Sequence, residues 1–274
     1  MICLVLVFTL ICSSCSFFGL TAEPTTVTEP LTTPNGNEIP AYSDVERTNL
    51  DPSLFLKDEK DRYYYADDMV QTYTGIDVSV FQQTIDWNAV KNDGVDFAML
   101  RIGYRGYGPE GKIGEDDLFY TNYTNALAAG LKVGVYFFSQ ATTPEEAREE
   151  AAFVLEKIRG LDIAYPVAYD WEVIDYDEAR TDNMTAEQIS DCAVAFCDAI
   201  SASGHSVLVY FNRELGYFNY DLSKLNQYHF WLAEYLTTPT FIYDYKIWQY
   251  SKEGHVEGID GIVDLNISVY DYSA

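Results

Sequence analysis

From Thr74 onward, short runs rich in β-branched and aromatic residues alternate with helix-forming stretches, and this alternation limits the chain to few folds. The strand-like runs are TGIDVSV (74–80), FAMLRIG (97–103), KVGVYFF (132–138), VAYDWEV (167–173) and VLVYF (207–211). The clearest intervening helix is signalled by Thr143, Pro144 and Glu146, a capping box with proline at the first helical position, and stops at Gly160. A second is signalled by Thr185 with Gln188 three residues on and ends before Gly204; weaker ones cover 87–93 and 118–129. After Phe211 the helices dwindle, while three more strand-like runs follow at HFWLAEY (229–235), KIWQYS (246–251) and GIVDLNIS (261–268). Parallel neighbours need a crossover of about a dozen residues or more, which the first five runs have. The expected fold is therefore α/β: a modified TIM-type barrel with five β/α units followed by three strands. A doubly wound open sheet would carry a glycine-rich turn after its first strand, and GIDVSVFQQ has none.

In such barrels chemistry gathers at the C-terminal ends of the strands. Four acidic residues interrupt apolar runs there: Asp77, Asp170, Glu172 and Asp264. Acids are depleted in strands and costly to bury unpaired, so each wants a reason. Strands one and eight adjoin in a closed barrel, bringing Asp77 towards Asp264. Asp170 and Glu172 are two apart on one strand, so both face the barrel mouth while Trp171 faces the other way. Crowded carboxyls raise at least one pKa, leaving an acid beside an anion, which is the equipment for cleaving a glycosidic bond. A structural pair bonded to neighbouring Tyr or Arg satisfies the same spacing, and spacing alone leaves both readings open.

The formal net charge of −26 opposes phosphate backbones and anionic lipid surfaces, so no nucleic-acid partner is expected. The aromatic share is 15 %, led by 23 Tyr, which suits sugar surfaces and strand packing alike. Cys192 and Cys197 lie five apart in an apparent helix and read as small buried side chains rather than a bridge. The three histidines show no ligand spacing, so no metal site is expected.

The segments GIDVSVFQQTIDW, FAMLRIGYRGY, LKVGVYFFSQA with EEAREEA, YPVAYDWE, WQYS and GIDGIVDLN resemble, in this order, the family 25 glycoside hydrolases, the Chalaropsis-type lysozymes. The resemblance implies the five-plus-three barrel and hydrolysis of the β-1,4 bond between N-acetylmuramic acid and N-acetylglucosamine in peptidoglycan, with no cofactor. It implies Glu172 as general acid and Asp170 as its partner, which orients the substrate N-acetyl group or stabilises the oxocarbenium-like state. Asp77 and Asp264 match the flanking carboxylates. Tyr136, Tyr210 and Trp248 are implied to line the sugar groove, with Tyr104 and Arg101 after strand two as further substrate contacts. Ordinary packing competes for the aromatic residues, and neutralisation of the acidic mouth competes for Arg101. A non-catalytic glycan-binding module and a glycosidase of chitin-like polymers are the alternatives.

The N-terminus bears on location. Residues 1–20 carry no charge, and the small residues before Cys15 resemble the lipobox of bacterial lipoproteins. This implies a signal peptide over 1–15 and a lipid on Cys15; an uncleaved anchor or a secreted form places the protein outside the cytoplasm equally. Residues 16–73 read as an acidic, Thr/Pro-rich tether to about Pro40 and then a transitional segment, 41–73, that either packs or stays disordered. The catalytic barrel is expected over 74–274, as a monomer.

Overall fold

The computed structural model describes residues 30–32, 36 and 38–272; the leader, Cys15 and most of the tether lie outside them. Eight strands close into a barrel: β1 (Tyr73–Val78), β2 (Phe97–Arg105), β3 (Lys132–Ser139), β4 (Val167–Trp171), β5 (Val207–Asn212), β6 (His229–Ala233), β7 (Ile247–Gly254) and β8 (Val263–Ser268). Pairing is parallel from β1 through β7. β8 runs antiparallel to both β7 and β1 and closes the ring. The helices are α1 (Trp87–Asn92), α2 (Phe119–Ala128), α3 (Pro144–Lys157) and α4 (Ala186–Ser201), then the short α5 (Arg213–Phe218) and α6 (Leu222–Leu225).

Local signals explain these helices. Thr185 and Gln188 form a complete capping box on α4. On α3, Thr143 Oγ1 accepts from the Glu146 amide, but the Glu146 carboxylate turns to the Thr142 N–H instead of closing the box. Arg180 draws it there with a 2.6 Å ion pair. Cys192 and Cys197 are free thiols buried under α4.

Strand parity sorts the side chains into two layers. Val167, Tyr169 and Trp171 pack outward beneath the helices, whereas Ala168 packs inside the barrel with Phe97, Met99, Leu208, Trp231 and Ile247. Phe97 and Tyr165 stack at 4.3 Å, and a Cβ on Gly75 would lie 2.1 Å from the Phe97 ring, so only glycine fits there.

Among the described residues no full helix covers β6, β7 or β8, and residues ahead of the barrel take that place. A hairpin of Phe55–Lys57 with Tyr63–Tyr65 lays Phe55 and Tyr63 against Trp248, at 5.0 and 4.8 Å between ring centroids. Upstream, Arg47 bridges Tyr243 in antiparallel fashion, and the Tyr42 amide donates to the Tyr243 hydroxyl at 2.7 Å. Ile39, Tyr42, Val45, Phe55, Tyr63 and Tyr65 are all buried in the outer core. The transitional segment thus packs, and the packed unit reaches back to Ile39, where the sequence suggests a tether. The reason is period-two burial within YYY: Tyr63 and Tyr65 turn inward and Tyr64 outward.

Candidate active site

The strand ends open into a cleft of about 920 Å³ lined by Asp77, Arg101, Tyr104, Tyr136, Asp170, Glu172 and Asp264. It continues into a smaller recess of about 280 Å³ bounded by Tyr210, Trp231, Tyr235, Gln249 and Lys252, with the same four carboxylates on its wall. The four acids expected from the sequence therefore meet. Asp77 and Asp264 are register partners on β1 and β8. Asp170 lies on β4 beside Tyr210 of β5 and Phe138 of β3. Glu172 sits one residue beyond the end of β4, and its carbonyl accepts from Gln140 Nε2 at 2.9 Å. Gln140 is fully buried and also accepts from Thr181 at 2.7 Å, tying the Glu172 backbone to the loop that follows.

Burial dominates the electrostatics. It lifts Glu172 to about 7, with the Asp77 charge adding to it. Asp170 is raised well above the usual carboxylate range by burial, then by Glu172 and Asp77, with Arg101 opposing. Asp264 rises to about 8 through burial and its Asp77 and Glu172 neighbours. Asp77 rises least, to about 6, because Asn266 and Gln249 donate hydrogen bonds against the burial effect. Asp170 Oδ1 is buried with no hydrogen-bond partner among the described residues. An orphaned acceptor at the floor of a cleft is a place for a ligand donor.

Tyr136 and Tyr210 line the cavities as expected, and the Tyr210 hydroxyl donates to Gln249 Oε1 at 3.0 Å. Arg101 lines the cleft but is committed to Asp116 through two nitrogens at 2.9 Å. Its guanidinium is also flanked by the Phe81 and Tyr104 rings. Asp116 accepts from the Val80 amide as well, so one buried carboxylate fixes both Arg101 and the turn that presents Phe81, 74 % exposed, at the rim.

Trp248 is a correction. It points away from the cleft, is fully buried under Phe55 and Tyr63, and donates Nε1–H to the Glu234 carbonyl at 2.8 Å. Parity is the reason: on β7 the inward residue is its neighbour Gln249. Gln249, Asn266, Gln140, Asp116, Trp231 and Tyr235 escaped the sequence reading. For Asn266 a signal existed, since it lies two residues from Asp264 and so shares its face.

A closed α/β barrel with ionisable groups collected at its strand ends has the architecture of a barrel enzyme. The family model for glycosyl hydrolases family 25 matches residues 76–259, and the chain belongs to that family. It is 32 % identical over 197 residues to an autolytic lysozyme of Clostridium acetobutylicum, covering 70 % of this chain and 54 % of that one, so it spans about half the relative's length. It is 28 % identical over 281 residues to lysozyme M1 of Streptomyces globisporus, covering 90 % of this chain and 85 % of that one. In fold it is similar to the modular autolysin LytC from Streptococcus pneumoniae, solved with a synthetic peptidoglycan ligand. That likeness has a TM-score of 0.63 and 22 % identity, and covers 87 % of this chain and 56 % of that one. The N-terminal hairpin lies outside the residues that match the family model.

Proposed function

We propose that the protein is an extracytoplasmic lysozyme, an endo-N-acetylmuramidase that hydrolyses the β-1,4 bond between N-acetylmuramic acid and N-acetylglucosamine. The observation that carries this reading is the Asp170–Glu172 pair. Both carboxyls line one cleft, Glu172 is raised to about 7, and Asp170 keeps a buried, unpartnered oxygen. Glu172 gives its proton to the glycosidic oxygen as the C1–O bond breaks. Water then adds its hydroxide to C1 and returns a proton to Glu172. Asp170 Oδ1 accepts the N–H of the 2-acetamido group and orients that group beside C1 of the same sugar. Asp77 and Asp264 set the field around the pair, and Tyr136 and Tyr210 bound the sugar groove.

In this reading the protein acts as a monomer, needs no cofactor, and is held outside the cytoplasm on the cell membrane by a lipid on Cys15. Family membership and the lysozyme relatives support peptidoglycan as substrate. The test is to digest isolated peptidoglycan with the wild type and with Glu172→Gln, then identify each new reducing end. Muramic acid ends, lost about a thousandfold in the variant, are expected. N-acetylglucosamine ends from chitin would move the assignment to chitin-like polymers. Binding without cleavage by either protein would leave a wall-binding module.

A further inference from the structure

The cleft carboxylates differ from one another because two buried amides serve only one of them. We propose that Gln249 and Asn266 are positioning residues that hold Asp77 as the anion of the cleft, and that this fixed negative charge keeps the proton on Glu172. The proposal rests on the reading of Glu172 as general acid.

The geometry carries it. Asp77 is 7 % exposed, and its Oδ2 accepts from Gln249 Nε2 at 2.8 Å and from Asn266 Nδ2 at 2.7 Å. The orientation of Asn266 is fixed at its other end. Trp231 Nε1–H, which can only donate, lies 2.8 Å from Asn266 Oδ1, so the Asn266 NH2 has to face Asp77. Gln249 takes the matching orientation: its Oε1 accepts from both the Tyr210 and Tyr235 hydroxyls, at 3.0 and 2.7 Å, with Nε2 turned to Asp77. Two neutral donors converge on one carboxylate oxygen and lend it no proton, so they favour the ionised form. Asp170 Oδ1 has no such donor.

The groups around Asp77 come from every side of the barrel. Asp264 faces it from β8, Asp170 from β4 and Glu172 from just beyond its end, Tyr136 from β3 and Arg101 from β2. Tyr210 faces it from β5, with Tyr235 and Lys252 at the far wall. Arg101 is already paired with Asp116, and Lys252 acts on Asp264 from above the Tyr235 ring. Asp264 is the register partner of Asp77 and interacts with it directly, and with two amide donors already on Asp77 the proton of that pair goes to Asp264 in this proposal. The negative charge therefore settles on Asp77, and Asp77 is the charge that raises Glu172 once burial is counted.

The experiment is a carboxyl-carbon NMR titration together with the pH profile of kcat/KM, on the wild type, Gln249→Met, Asp77→Asn and Tyr235→Phe. In the wild type Asp77 should titrate first of the four cleft carboxyls. In Gln249→Met the Asp77 pKa should rise, and both the Glu172 pKa and the alkaline limb of the rate profile should move down by about one pH unit. Asp77→Asn should move the limb the same way and at least as far. Tyr235→Phe keeps the Tyr210 bond to Gln249 and with it the donor to Asp77, so the limb should not move. A uniform loss of rate with the limb and the Glu172 pKa unmoved in Gln249→Met and Asp77→Asn would overturn the clamp. Should the wild type cleave no peptidoglycan, the functional reading fails while the titration still decides the clamp: an Asp77 that titrates after Glu172 refutes it.

Discussion

Glu172→Gln should make the protein more stable at alkaline pH while it disables the site. Glutamine keeps the shape of the side chain and removes its charge. Burial, and then the Asp77 charge, lift Glu172 from its ordinary 4.5 to about 7 in the folded protein. The folded state thus holds this proton more tightly than the unfolded chain does. Its stabilising contribution is complete below about 4.5 and is lost as pH rises through about 7. Integrated from pH 4.5 to pH 8, a displacement of that size has a ceiling of ~3 kcal/mol. The cleft is open to water and its other carboxyls redistribute protons, so ~1–2 kcal/mol is the expected difference. For a domain of this size that corresponds to about 2–8 °C in melting temperature. Paired thermal melts at pH 8 and pH 4.5 provide the assay. The variant should melt higher at pH 8 and together with wild type at pH 4.5. An equal offset at both pH values, or a variant that melts lower at pH 8, would refute the electrostatic reasoning.

Phe55→Ala should cost about 3–5 kcal/mol in urea unfolding, because it removes a buried ring from Trp248. For the same reason a chain beginning at residue 67 should melt well below one beginning at residue 38. Gln140→Ala removes the bond to the Glu172 carbonyl, so kcat should fall about tenfold or more while the alkaline limb of the pH profile stays in place. Trp248→Phe should lower the melting temperature and leave KM within about twofold of wild type, since the ring packs outside the barrel; a KM rise of tenfold would return it to the sugar groove.

The barrel was legible because parallel strands covered on both faces leave unbroken apolar runs, and because threonine caps mark helix starts through local chemistry. The four carboxylates were legible for a related reason: an acid inside an apolar run is conspicuous. Gln249 and Asn266 are neutral, common and unremarkable in sequence, and their importance comes from what lies opposite them across the barrel. Trp248 is implied for the sugar groove by the family resemblance, but its parity on β7 turns it outward into the packing layer. The packing of residues 39–65 was obscured by the charged stretch KDEKDR and by neighbouring Thr and Pro, since the surface that receives Phe55 and Tyr63 belongs to strands nearly two hundred residues away.

The misplaced Trp248 and the overlooked Gln249 meet on one strand. Trp248 and Gln249 are consecutive on β7, so the pleat sends one outward beneath the N-terminal hairpin and the other inward to Asp77. Trp248 also donates to the Glu234 carbonyl, next to Tyr235, whose hydroxyl donates to Gln249. Tyr63 donates its hydroxyl to the Thr237 carbonyl in the same connection. The hairpin therefore braces both the strand that delivers the Gln249 amide and the loop that orients it. In a barrel with helices over every strand that bracing comes from the β/α units themselves. Here, where the last three strands lack full helices among the described residues, a segment from before the barrel packs there instead, so the strand that delivers Gln249 is covered by residues that the family model does not include.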